Sequence, residues 1–198
     1  AASLLDAAGY KVGADGIRAG TCDGKPVKFS LKLETTVKPL RQDEQAAIQA
    51  NLKQVGVDVK TIATPSGTFF GSYTDGANMA TGKFDMAIFT TGFFPDPYTD
   101  SFLCNAIPNK DNPGGDNYYH YCDQSGQTET MFKQLATTTD PAQRKTIVDQ
   151  IQKYQYDNVL FIPLYARADV FGFSDRFVFP ATSGYSGWAW DAFDFDVK

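Results

Sequence analysis

Residues 26–34 read Pro-Val-Lys-Phe-Ser-Leu-Lys-Leu-Glu, and their pattern decides the fold. Val27, Phe29, Leu31 and Leu33 fall on one side of an extended chain, and Lys28, Ser30, Lys32 and Glu34 on the other. Such alternation predicts a strand with one buried face. Just downstream, residues 41–55 place Ile48, Leu52 and Val55 at the spacing of an amphipathic helix, and Gly56 stops it. Val57 and Val59 open a second strand, residues 65–80 read as a helix, and Phe84-Asp85-Met86-Ala87-Ile88-Phe89 as a third, mostly apolar strand. Strand and helix alternating through short joints predict βαβ units: an α/β fold, a mainly parallel or mixed sheet with flanking helices.

Working outward, residues 1–9 predict a short helix ending at Gly9. On the other side the regularity stops after residue 91. Residues 92–123 are rich in Gly, Pro, Asn, Asp and Tyr and keep no period; a structureless stretch of that length in a small domain points to function. Helices resume with Met131, Phe132 and Leu135 on one face. The next opens on Asp140 as cap, Pro141 in the first turn and Gln143 completing a capping box, with Ile147, Ile151 and Tyr154 as its buried stripe. Leu160 to Ala166 reads as a buried strand broken by Pro163. The tail, 168–198, is strand-like, with Trp188, Trp190, Phe193 and Phe195 interleaved with acidic residues.

Composition removes several function classes. The 198 residues, 42% hydrophobic, suffice for one sizeable core or a main domain with a trailing segment. The net charge is −5, and no Lys/Arg cluster is present to neutralise neighbouring phosphates, so no nucleic-acid partner is expected. No apolar run approaches the roughly 20 residues of a membrane span. The opening Ala1-Ala2-Ser3-Leu4-Leu5-Asp6 reads as amphipathic helix and not as an export signal; secretion would need a signal upstream, and the chain reads as a fragment.

The cysteines are Cys22, Cys104 and Cys122, with no CxxC pair, and the one histidine is His120. That set does not make a zinc site. Cys104 and Cys122 flank a loop of Pro, Gly and Asn; a disulfide there would contribute about 3 kcal/mol, the alternative being two separate buried thiols. Cys22 is left over. Asp96 and Asp100 as a glycosidase pair have only proximity in sequence behind them, and His120 lies in a Tyr-rich loop with no GxSxG elbow anywhere. Phosphate-cradling glycine motifs are likewise missing. Neither catalysis nor a cofactor is expected.

Four stretches resemble the family-5 extracellular solute-binding proteins, which deliver peptides, nickel complexes and some sugars to ABC importers. They are Leu4-Leu5-Asp6-Ala7-Ala8-Gly9-Tyr10 with Asp15-Gly16-Ile17-Arg18 and Gly24-Lys25-Pro26-Val27; Ala46-Ala47-Ile48-Gln49 running to Leu52-Lys53-Gln54-Val55-Gly56-Val57-Asp58-Val59; Phe84-Asp85-Met86 leading to Pro95-Asp96-Pro97; and Asp140-Pro141 with Arg144, then Ile162-Pro163-Leu164-Tyr165. The resemblance implies the second lobe of a class II periplasmic-binding-protein-like fold. Residues 1–162 would be the carboxy-terminal ligand-binding lobe, 163–168 a hinge crossover, and 169–198 tail strands returning to an amino-terminal lobe outside this chain. It also implies a substrate-binding role beside ABC permease subunits, with a peptide as the expected solute. The location would be extracytoplasmic, in the periplasm or as a cell-surface lipoprotein, which suits a disulfide. An oligosaccharide or other solute, or a receptor or adhesin role, is the alternative.

In many relatives the corresponding loop reads Trp-x-x-Asp-Tyr-Pro-Asp-Pro, and its first Asp clamps a peptide's amino group. Here it reads Thr90-Thr91-Gly92-Phe93-Phe94-Pro95-Asp96-Pro97, with Phe93 at the clamping position. A ring there stacks on an apolar side chain, a sugar face or a cation instead. The candidate ligand-binding residues are Phe93, Phe94, Asp96, Tyr98 and Tyr119, on a loop that leaves the strands' carboxyl ends, where open α/β sheets bind ligands. Each has a plainer alternative: the phenylalanines as a cap on the sheet, Asp96 as a turn-former between prolines, Tyr98 and the Tyr118-Tyr119-His120-Tyr121 run as pins for the loop. Trp188 and Trp190 divide in the same way between a sugar platform and buried tail residues.

Overall fold

A computed structural model of the chain begins with helix α1 (Ala2–Ala7), which closes before Gly9 takes a left-handed φ of +88°. Strands β1 (Lys11–Val12), β2 (Arg18–Cys22) and β3 (Lys25–Lys28) follow as an antiparallel sheet in that order. Then β4 (Ser30–Thr36), helix α2 (Pro39–Lys53) and β5 (Asp58–Thr64) make a βαβ unit, paired in parallel from Ser30↔Asp58 to Thr36↔Thr64. Short helices α3 (Ser66–Phe70) and α4 (Asn78–Thr81) lead to β6 (Met86–Ala87), which lies parallel to β4 on its other side. The order β5-β4-β6 puts the first strand in the middle. Chain winding therefore reverses across β4, and such a reversal opens a crevice beyond the carboxyl ends of the strands.

The structure describes residues 1–92, 100–166, 172, 174–178 and 192–197. They fall into two units, Ala1–Thr91 with Thr99–Glu129, and Gly92–Tyr98 with Thr130–Lys198.

In the first unit, Leu33, Val57, Val59 and Ile88 form the buried core, with Phe29, Leu31, Ile48, Leu52, Val55 and Met86 packed against it. The helix stripe read from the sequence is the face α2 lays on the sheet. Two of its polar residues also reach the strands: the Gln45 side-chain amide donates to the Leu33 carbonyl at 2.7 Å, and that of Gln49 to the Val59 carbonyl at 2.6 Å. Arg18 is 3% exposed and ties three segments together. Its guanidinium donates to the Val55 carbonyl (2.6 Å), the Tyr10 carbonyl (2.6 Å) and the Asp6 carboxylate (2.7 Å). Gly56, at φ +81°, has no room for a side chain, because a Cβ would stand 2.9 Å from the Arg18 Cγ.

Five expectations change. The single strand over 26–34 is two strands in two sheets, divided at Phe29. Its N–H donates to the Arg18 carbonyl of the antiparallel sheet (2.9 Å), and its carbonyl accepts from Asp58 of the parallel one (2.8 Å). Glu34, expected on a solvent face, is 3% exposed and takes a hydrogen bond from the Asn78 amide. Alternation fails there because β4 is a central strand covered on both sides, and Leu33, Glu34, Thr35 and Thr36 are all buried. The helix expected over 65–80 is two short helices parted by a turn in which the Ser72 hydroxyl donates to Asp75 (2.6 Å). Of residues 84–89 only Met86–Ala87 form a strand, and residues 160–166 form none.

The second unit takes in α5 (Gln127–Thr137) from Thr130 onward and α6 (Pro141–Asp157), with Met131, Phe132, Leu135 and Ile151 buried. Asp140 caps α6, its Oδ1 accepting from the Gln143 N–H at 2.8 Å. Arg144 donates to the Leu135 and Thr138 carbonyls at 2.6 and 2.7 Å and so fixes the turn between the helices. Past α6, residues 160–166 form neither helix nor strand, and Ile162 (73% exposed) and Leu164 (54%) face solvent instead of a core. Strands β7 (Phe177–Val178) and β8 (Asp196–Val197) pair antiparallel. Trp188 and Trp190 lie outside the described residues.

Candidate functional site

Beyond the carboxyl end of β6, residues Phe89, Thr90 and Thr91 form one wall of a cleft of about 220 Å³. Phe70, at the end of α3, and Ser101, Asp116, Tyr118 and Tyr119, from the loop 100–126, complete it. All of these belong to the first unit. Its position is where the strand order predicts a crevice, and aromatic walls with a few polar groups are a common lining for a ligand pocket.

The rings support one another. Phe70 stands edge-on to Phe69 (4.7 Å) and to Phe89 (6.1 Å), and Tyr118 lies 6.2 Å from Phe70. Tyr119 stacks on the buried Phe102 at 4.8 Å, nearly parallel, and lies 5.9 Å from Phe89. Burial pushes the Tyr119 hydroxyl's pKa up, so it enters the cleft as a neutral phenol. On the β6 side, the Arg41 guanidinium donates to the Ile88 carbonyl (3.1 Å) and the Thr90 hydroxyl (2.5 Å), while the Thr35 hydroxyl donates to the same carbonyl (2.6 Å). These bonds hold the chain where it leaves the sheet.

The loop wall is built as firmly, although its sequence has no period. A disulfide joins Cys104 to Cys122, with Cα atoms 4.7 Å apart. Inside the loop it closes, Asn117 is fully buried and donates through its side-chain amide to the carbonyls of Leu103 and Tyr121, both at 2.9 Å. Gly115 is also buried, and a Cβ on it would fall 2.3 Å from the Ala106 carbonyl oxygen. Asp116 stands between these two anchors with its side chain outward, and its Oδ2 accepts from the Ser101 hydroxyl at 2.9 Å. His120 is structural: its Nε2 shares a 2.7 Å hydrogen bond with the Met79 carbonyl, and its ring stands edge-on to Phe84. Cys22 is a free, exposed thiol.

Of the residues singled out in the sequence, Tyr119 lines the cleft, with Tyr118 beside it. Phe93, Phe94, Asp96 and Tyr98 lie outside the described residues. Phe70, Phe89, Ser101 and Asp116 were not anticipated. They come from three distant segments, and no spacing in the sequence joins them. Among the described residues, no group of three or more His, Cys, Asp or Glu side chains is placed to hold a metal ion, and no helix is long and apolar enough to cross a membrane.

Residues 1–113 match the family model for bacterial extracellular solute-binding proteins, family 5 Middle. No curated protein matches the chain. Among solved structures, the oligopeptide-binding protein of Thermus thermophilus, complexed with a pentapeptide, is similar at 23% identity and a TM-score of 0.66 over 84% of this chain. The oligopeptide-binding protein AppA of Bacillus subtilis, in complex with a nonapeptide, follows at 26% and 0.62 over 80%. A periplasmic oligopeptide-binding protein of Thermotoga maritima with bound mannohexaose gives 22% and 0.62 over 82%. The chain spans 29% of the length of each of the three.

Proposed function

We propose a function from one premise: this chain belongs to the bacterial extracellular solute-binding proteins of family 5. It supplies a ligand-contacting part of the substrate-binding component of an ABC importer, and its solute is a peptide. The protein works outside the cytoplasm and hands the solute to membrane permease subunits. Residues 1–162 act as the ligand-binding lobe, 163–168 as a hinge crossover, and 169–198 as strands returning to an amino-terminal lobe.

The observation that carries this reading is the position of the aromatic cleft, at the carboxyl edge of a parallel sheet whose strand order reverses at β4. Mixed ring and hydroxyl walls suit a solute with varied side chains, because rings provide contact area without demanding one hydrogen-bond pattern. The neighbours with a bound pentapeptide and nonapeptide support a peptide as the solute. A second reading has its own support: stacked rings also bind sugar faces, and a neighbour of the same fold holds mannohexaose. The ligand contacts proposed from the sequence are Phe93, Phe94, Asp96, Tyr98 and Tyr119, of which Tyr119 lines the cleft. No catalytic step is assigned to the cleft.

Native mass spectrometry of the full-length protein, purified from its own host, tests the function. A ladder of co-purifying peptides is expected. A ladder with hexose spacing would replace peptide by sugar, and a large protein partner with no small solute would favour a receptor or adhesin and overturn the importer reading.

A further inference from the structure

Among the described residues the cleft contains one carboxylate beside its rings, and nothing in the family's clamping pattern marks it. Asp116 lies 23 positions beyond Phe93, the residue standing where relatives carry their amino-clamping Asp (116 − 93 = 23). Its setting is specific. Gly115 before it cannot carry a side chain without meeting the Ala106 carbonyl, and Asn117 after it is buried with both amide hydrogens committed. The backbone is therefore fixed on both sides of Asp116, and the loop is closed by the Cys104–Cys122 bridge. Ser101 donates to Oδ2, while among the described residues nothing donates to Oδ1 and no Lys or Arg pairs with the carboxylate. Arg41, which is bonded to the cleft residue Thr90, is committed to Ile88 and Thr90 and does not itself line the cleft.

Resting on the solute-binding reading above, we infer that Asp116 is the specificity-determining carboxylate of the cleft, and that the solute presents a cationic group, an ammonium or a guanidinium, to its Oδ1. The chemistry is that of a cation receptor. A positive group is drawn to a carboxylate by charge-assisted hydrogen bonds and to the faces of Phe70, Phe89, Tyr118 and Tyr119 by their quadrupoles. An anionic or uncharged group would leave Asp116 unpaired as the solute displaced its water. The recognised charge comes from the amino terminus of a peptide or from a basic side chain.

Isothermal titration of the full-length protein separates these sources with three probes: pentaalanine with a free amino terminus, N-acetyl-pentaalanine, and N-acetyl-pentaalanine with its central residue replaced by lysine. A charged probe should bind about tenfold more tightly than the acetylated neutral one, the free terminus or the lysine identifying the source. Asp116→Asn, which keeps an acceptor for Ser101, should bring the charged and neutral probes to the same affinity. Equal binding of all three probes, or a preference that survives Asp116→Asn, overturns the role of Asp116 and leaves peptide capture standing. Binding of none of them overturns peptide capture itself. The acetylation comparison needs no variant, so a poorly folding Asp116→Asn would not rescue the inference.

Discussion

Arg18 shows how a single residue turns sequence into architecture. It is nearly fully buried and serves two carbonyls and one carboxylate, so a side chain of similar length without donors strands all three. Arg18→Met is expected to destabilise the chain by about 2–4 kcal/mol, read as a lower urea midpoint at unchanged slope. The same contact sets an acid limit. Hydrogen bonding from the Arg18 guanidinium holds the Asp6 carboxyl below the usual carboxylate range, and its charge adds to the effect. A group whose folded pKa is depressed stabilises above its unfolded value, about 4, and loses that contribution as pH falls through the lower folded value. Denaturant midpoints followed from pH 6 downward should fall more steeply for the native chain than for Asp6→Asn; parallel curves would remove Asp6 from the acid response.

Among elements, those with a repeating period were legible. The stripe Ile48, Leu52, Val55 gave α2, and Asp140-Pro141 gave the start of α6, because each depends on neighbours within a turn or two. What failed depended on distant partners. Residues 26–34 alternate without a break, yet the chain changes sheets at Phe29, since the partners that decide it, Arg18 and Asp58, lie far away in sequence. Leu160 to Ala166 is apolar enough for a buried strand but finds no ladder among the described residues. The site divides in the same way: Tyr119 was visible as part of an aromatic run, while Asp116 acquires meaning only through the burial of Gly115 and Asn117. The element that positions these residues is the loop closed by Cys104 and Cys122. Replacing both cysteines by serine is expected to cost about 3 kcal/mol and to weaken solute binding as Tyr118, Tyr119 and Asp116 lose their fixed positions. Unchanged calorimetric affinity in the double variant would show that Asn117 and Gly115 suffice to hold the wall.

For the whole molecule, length governs what the chain can do alone. It spans 29% of the length of the solved relatives, and its described residues form an aromatic-walled cleft. Affinity depends on enclosing a ligand on most sides, so residues 1–198 by themselves are expected to bind peptides weakly or not at all. Micromolar or tighter binding by the isolated chain in calorimetry would contradict the lobe assignment and make this cleft a complete site.

The run after α6 has a practical consequence for handling the chain. Ile162 and Leu164 hold apolar side chains in water. Exposed apolar groups so close together favour contact with their counterparts on another molecule. Concentrated solutions of the isolated chain should therefore shift toward dimers and larger species on a sizing column, and Ile162→Lys with Leu164→Lys should return them to monomer.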